Sequence, residues 1–192
     1  MSEMKMNVPE EESFELKKVK ITPDGGLDVQ YVVEEDNGAE VYKVRNHVVS
    51  AKCIHDDLRD LMQALVPVVA RVFGYYDELA EETKASGEVA LGNYLDRFAG
   101  QVSRISVCGL SISGKGENVG AVVVASMSVN AMQCVNLVTP RIKYLSSAYG
   151  LEADLEVLAQ KIQHEVYLYL FDDKVAEMEN IEDFVESEDD DC

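Results

Sequence analysis

Apolar residues recur at every second position along several stretches of the chain. Phe14, Leu16, Val19 and Ile21 alternate with lysines, and Leu27, Val29, Tyr31 and Val33 alternate with polar residues. Val41, Val44 and Val48 mark a third run over 40–49. A period of two is that of a strand with one dry face. Between the runs, Pro23-Asp24-Gly25-Gly26 and Asp36-Asn37-Gly38 carry the residues that preset a turn or supply positive φ. The pattern predicts an antiparallel meander of strands over 14–22, 27–34 and 40–49. The most regular alternation lies further on, over 104–129. There two β-type runs flank the turn Gly114-Lys115-Gly116-Glu117-Asn118, and Ala121, Val123, Ala125, Met127 and Val129 line one face of the second. The first run changes phase at Cys108-Gly109, which predicts a bulge.

The period changes to that of a helix twice. Leu58, Leu61, Met62, Leu65, Val68, Val69 and Val72 follow helical spacing, with Asp56 or Asp57 as cap, a kink expected at Pro67 and a stop at Gly74. Leu151, Leu155, Leu158, Ile162, Val166 and Tyr169 predict a final helix over 152–171. Met132 to Leu137 reads as a further strand ended by Pro140, with Ile142 to Tyr144 continuing along an edge. These elements make an α+β fold, an antiparallel sheet of meander plus hairpin backed by two main helices. Residues 1–13 read as a mobile arm, 14–171 as one domain with an insertion or lid over 75–100, and 172–192 as a disordered tail.

Charge refines the picture. The chain of 192 residues has 36 acidic and 17 basic side chains and a formal net charge of −19. Residues 171–192 hold eleven acids and one lysine, and residues 1–15 five acids and one lysine. The body keeps 20 acids against 15 bases, so the excess lives in the ends. No apolar run reaches the ~20 residues of a membrane helix. Acidic residues stand where a signal peptide would be apolar, which predicts a cytoplasmic protein without a membrane partner.

The chemistry-bearing residues are sparse. Cys53, Cys108, Cys134 and Cys192 are scattered, and Cys53 near His55 and His47 lacks a second ligand pair, so reduced thiols and no metal are expected. His47, His55 and His164 have no neighbouring nucleophile, and no residue is assigned a catalytic role or a cofactor. The glycine turn resembles a phosphate loop in composition, but a strand follows it where such a loop needs a helix; a hairpin tip is the reading. Lys17, Lys18, Lys20, Lys43, Arg45, Arg104, Lys115, Arg141 and Lys143 lie on or beside predicted strands, with Tyr31, Tyr42 and Tyr144 as candidate stacking faces. Bases and aromatics on a sheet make a platform for single-stranded nucleic acid; a wetted sheet face is the alternative. The acidic tail either competes with nucleic acid for those bases, docks a partner through Ile181, Phe184 and Val185, or keeps the chain in solution.

Taken together, ELKKVKITPDGG, the Leu/Val-rich helix, ISVCGLSISGKGENVGAVVVAS, VNLVTPRI and YGLEADLE with EVYLYLFDDK resemble uncharacterised bacteriophage and prophage proteins over roughly residues 14–175. The resemblance implies a place near phage replication and recombination genes, and hence the host cytoplasm. Some such proteins end in a QLxLF-like clamp-binding peptide, whereas this chain ends KVAEMENIEDFVESEDDDC. The expected function is an accessory of phage DNA metabolism that binds single-stranded nucleic acid or a replication or recombination partner. Two alternatives stand beside it: an acidic DNA-mimic or anti-defence protein that binds a host protein, and a structural phage protein that forms homo-oligomers.

Overall fold

A computed structural model of the chain describes residues 9–36, 38, 40–74, 102–130 and 132–176. The first alternating runs form β1 (Phe14–Ile21), β2 (Leu27–Asp36) and β3 (Val41–Ser50), paired antiparallel as a meander. The central runs form β4 (Ile105–Ser113) and β5 (Gly120–Asn130), followed by β6 (Gln133–Val138) and the two-residue β7 (Ile142–Lys143). All seven strands make one antiparallel sheet in the order β3-β2-β1-β4-β5-β6, with β7 beside β5. The fold class is α+β, as the alternation predicts. The expected lid over 75–100 lies outside the described residues, as do the apolar tail residues Ile181, Phe184 and Val185.

The predicted bulge is present. Register slips between Val107 and Gly109 opposite β5. Gly109 there faces β1, where an added Cβ would stand 3.3 Å from the Val19 carbonyl oxygen and 3.4 Å from Val124 Cβ. The bulge therefore lets β1 close on the hairpin without a side chain between them.

The helical stretch is not one kinked helix. It divides into α1 (Asp56–Gln63) and α2 (Val66–Val72), with Pro67 in the first turn of α2. A residue without an N–H fits a first turn, where that donor has no intrahelical partner, better than a helix interior. The cap also differs from expectation: the Nδ1 of His55 accepts from the Asp57 N–H at 3.2 Å. The last helix, α3 (Glu152–Phe171), has the expected bounds, and it buries Leu155, Ala159, Ile162, Val166 and Tyr169. Leu158, expected on that face, is only half-buried because Ala159 takes the central place.

The helices lie against one face of the sheet, and the core sits between the two layers. Leu16, Val19, Leu27, Val29, Leu110, Val123, Leu58, Met62, Leu155 and Ile162 are all within 1% of full burial. After α3 the chain turns back along the β3–α1 connection, where Val175 bridges Ile54 and the Ala176 N–H donates to the Cys53 carbonyl at 3.0 Å. Lys174 anchors that return between Asp57 and Glu165, each at 2.7 Å. The acidic tail thus begins at the end of the sheet where β3 finishes.

Two polar groups are buried at joints. Glu152 accepts from the Tyr149 N–H at 2.8 Å and the Ser146 hydroxyl at 3.0 Å. Burial works to raise its pKa, but those bonds and the backbone N–H groups of Glu152 and Leu151 outweigh it and hold the carboxyl below its ordinary range. Thr139 carries the β5 ladder one residue past β6: its hydroxyl accepts from the Val123 N–H at 2.9 Å, and its own N–H donates to the Val123 carbonyl at 3.0 Å.

Candidate nucleic-acid interface

Register fixes which side chains share the face opposite the helices. Lys18 stands beside Gln30 and Ser111, Lys20 beside Asp28 and Gly109, and Val32 beside Arg45 and Glu15. Ser111 leads on to Val122, and Ser126 to Asn136. Lys18, Lys20, Lys43, Arg45 and His47 therefore project from one open face, on which no described helix packs.

Part of the basic charge on and beside that face is locally balanced. Lys17 pairs with Glu15, Lys43 with Glu34 at 2.6 Å and Glu15 at 3.8 Å, and His47 with Asp28 at 2.8 Å. The hydrogen bond to Glu34, then its charge, raises the Lys43 pKa. Lys18, Lys20 and Arg45 have no carboxylate partner among the described residues, and neither does Lys115 at the hairpin tip. Arg104 lies elsewhere. It precedes β4, and nine residues of strand, about 30 Å, separate it from the tip.

The tip is built by the segment that follows β6. Arg141 donates through Nη2 to the Ser113 carbonyl at 3.2 Å and to the Asn118 carbonyl, and Lys143 Nζ donates to Asn118 Oδ1 at 3.0 Å. Gly114 at φ +105° admits this arrangement, since a Cβ there would sit 2.0 Å from the Asn118 carbonyl oxygen and 2.3 Å from Arg141 Nη2. Arg141 and Lys143 share the hairpin with Lys115, but their nitrogens hold its backbone and side chains in place.

The expected stacking faces are not on this surface. Tyr31 is 8% exposed on the helix side, its ring 5.0 Å from Phe14 and 6.0 Å from Phe171. Tyr42 is on the helix side of β3 and donates its hydroxyl to Glu35 at 2.8 Å. Tyr144 is half-buried with its hydroxyl fully so. Alternation alone places a tyrosine on one of two faces; which face is dry depends on where the helices land.

The open face is not flat. β1 pairs with β4 only over Lys18–Lys20, and beyond Ser111 the two strands part. A cleft of about 1160 Å³ opens there, walled by Lys17, Lys43, Arg45 and His47 together with Glu12, Glu15 and Glu34 on one side and by Gly114 to Gly116 on the other. The cleft brings together Lys17, Lys115 and the β3 pair Lys43 and Arg45, three stretches that are far apart in sequence. Among the described residues no cluster of three His, Cys, Asp or Glu stands close enough to hold a metal ion, and no helix is long and apolar enough to cross a membrane. Comparison with protein-family models, with curated proteins and with solved structures gives no match.

Proposed function

We propose that the protein binds single-stranded nucleic acid through its phosphate backbone, along the open sheet face and into the cleft beside the hairpin tip. Its role as an accessory of phage DNA metabolism is part of the same proposal and rests on the sequence resemblance. The observation that carries the binding reading is the set Lys18, Lys20, Arg45 and Lys115. In a chain with twice as many acids as bases, these four cations stand on one surface without a carboxylate partner among the described residues. Among the described residues the aromatics are buried or lie off the open face, and Phe14 and Tyr31, which border the cleft, are buried, which favours contacts to phosphate over stacking of successive bases.

Fluorescence anisotropy of a labelled single-stranded oligonucleotide across a salt series tests this. Each phosphate contact contributes about 0.7 to the slope of log affinity against log salt. Changing Lys18, Lys20, Arg45 and Lys115 together to Ala should flatten the slope by nearly three while leaving the melting temperature in place. Absence of binding even at low salt would overturn the reading and favour the acidic decoy.

Self-association is a second reading, and the sheet edges favour it. β3 and β6 each lack a partner on their outer side among the described residues. β6 carries no charge, and Val135 and Val138 are about half exposed. An uncharged edge strand is a template for another chain. Sedimentation of the wild type against Val135→Lys would show a shift from a larger species to monomer; a monomeric wild type removes this reading.

A further inference from the structure

β3 closes one side of the sheet and has no partner on its outer side among the described residues. Which of its backbone groups face outward follows from alternation. A strand residue points its N–H and C=O to one side, and its neighbour points them to the other. The Gly26 carbonyl faces β1, where it accepts from the Thr22 N–H at 2.9 Å. The odd-numbered residues of β2 therefore bond to β3, through pairs such as Val29 with Val48 and Tyr31 with Asn46. Those pairs use the even-numbered residues of β3, so Lys43, Arg45, His47 and Val49 turn their N–H and C=O groups outward.

The segment after α3 has begun to pair on that side. Past the end of β3 the alternation holds: the Ile54 N–H donates to the Gly25 carbonyl, on the β2 side, at 3.0 Å. The Cys53 carbonyl faces the other way and accepts from the Ala176 N–H, also at 3.0 Å. Val175 stands antiparallel opposite Ile54, and the ion pairs of Lys174 with Asp57 and Glu165 fix its approach. Carried forward without a slip, that register sets residues 179–188 one for one against residues 50–41, on the outward side.

The side chains of the tail fit it. Opposite residues of an antiparallel pair share a face. On the helix side Ile181 would meet Val48 and Val185 would meet Val44, both half-buried at the margin of the core. Asp183, between them, would meet Asn46, whose amide can donate to a carboxylate. On the open face Glu182 would meet His47, Glu186 would meet Lys43, and Phe184 would meet Arg45. Lys43 and His47 hold Glu34 and Asp28 on the β2 side, and the tail would add a second carboxylate from the other. A ring beside Arg45 offers its guanidinium a face to stack on. A slip of one residue would turn Glu182 and Glu186 to the helix side instead.

We propose that residues 179–188 form an eighth strand, antiparallel on the outer edge of β3, so that the acidic tail caps that edge and lays its carboxylates along the basic wall of the cleft. Capping by the chain's own tail closes β3 to other chains and leaves β6 as the open edge. The strand does not depend on the nucleic-acid reading, and no ligand enters its test.

Amide hydrogen exchange on the full chain, followed residue by residue by NMR, compares the wild type with Glu182→Pro and Asp183→Pro. Each variant removes one carboxylate and one N–H. In this register the residue 182 N–H points at β3 and the residue 183 N–H points away, so only the first proline breaks the ladder. The N–H groups of Lys43, Arg45 and His47 should exchange at least about tenfold more slowly in the wild type than in Glu182→Pro, and Asp183→Pro should keep the slow rates. Val44, Asn46 and Val48 bond to β2 and should stay slow in all three proteins. Fast exchange at Lys43, Arg45 and His47 in the wild type would overturn the strand, and so would equal effects of the two prolines. Slow exchange that is lost on dilution would overturn it as well, by assigning the edge to a second copy of the chain.

Discussion

The seam between β1 and β4 ends twice, and the two ends are finished in different ways. At one end β4 runs on alone, and Gln63 of α1 completes it: Nε2 donates to the Val107 carbonyl at 3.2 Å, and Oε1 accepts from the Val107 N–H at 3.4 Å. At the other end β1 runs on alone, and Gln163 of α3 does the same for Phe14 and Leu16. A glutamine amide sets an N–H donor beside a carbonyl acceptor, as a peptide group offers both, so it serves as a one-residue strand. At the first end Ile105, Val107, Leu58 and Met62 close over the joint and are buried. At the second, Arg141 and Lys143 hold the hairpin tip, and the space between tip and β1 stays open. Satisfying a backbone edge and filling the space beside it are separate tasks. The first end does both and is core; the second does only the first and has a cleft.

The largest test of that contrast is in the seam itself. Leu110 is fully buried opposite Val19, and Leu110→Ala should cost about 2–5 kcal/mol in a urea melt. Leu158→Ala, at a half-buried position of α3, should cost clearly less. Equal losses would mean that the seam is no more central than the helix flank.

Next in size is the tip. Gly114→Ala forces a left-handed φ on a side chain and pushes it into the Asn118 carbonyl and Arg141, and should cost about 1–3 kcal/mol. A variant as stable as wild type would show that the tip swings freely, and the cleft would then not be a fixed feature.

The two glutamines come third and compare the ends directly. Gln63→Ala should cost about 1–2 kcal/mol, because it strands a donor and an acceptor beside the buried joint. Gln163→Ala should cost less, since water in the cleft can replace the amide, while hydrogen exchange at the Leu16 N–H accelerates. A larger loss for Gln163→Ala would reverse the order and place the drier joint at the cleft.

The smallest effect is on acid stability. The Lys174 hydrogen bond, with help from its charge and that of His55, holds the Asp57 carboxyl below its ordinary value; Glu152 is lowered by the bonds at the start of α3. A carboxyl whose folded pKa lies below its unfolded one stabilises the fold fully above the unfolded value. That contribution is lost as pH falls through the folded value. Glu152 has an ordinary value of 4.5, so its share should begin to fall near there and vanish only below the lowered folded value. Melts taken from about pH 6 down to about pH 3 should show a shallower acid limb for Glu152→Gln than for wild type. Parallel limbs would mean that this carboxyl titrates alike in both states.

Much of the architecture was legible in the pattern of side chains. The meander, the hairpin, its bulge at Cys108-Gly109 and α3 all follow from local periodicity and turn chemistry, which depend on neighbours a few residues away. The break in the first helical stretch was less so. Leu58 to Val72 keeps helical spacing across it, and only the position of Pro67 within a first turn separates two helices from one bent one. Of the basic residues, Lys18, Lys20 and Arg45 stand on the open sheet face and Lys115 at the hairpin tip, without a carboxylate partner among the described residues. Arg141 and Lys143 are engaged in the tip, because a positive side chain near a hairpin also finds free carbonyls there. Tyr144 was visible as an aromatic; its unpartnered hydroxyl was not. Gln63 and Gln163 gave no signal at all, for a polar residue on a helix reads as a solvated one.

The sequence by itself determined the strands, the turns, the acidic ends and the class of fold, since each rests on short-range periodicity or composition. Only the tertiary structure decided that β1 sits between β2 and β4, and that the pairing stops after three residues. It also decided that the gap beyond is lined by Lys17, Lys43, Arg45 and Lys115 together with Glu12, Glu15 and Glu34. Those features depend on residues separated by more than a hundred positions, such as Leu16 and Gln163, whose meeting no local pattern encodes.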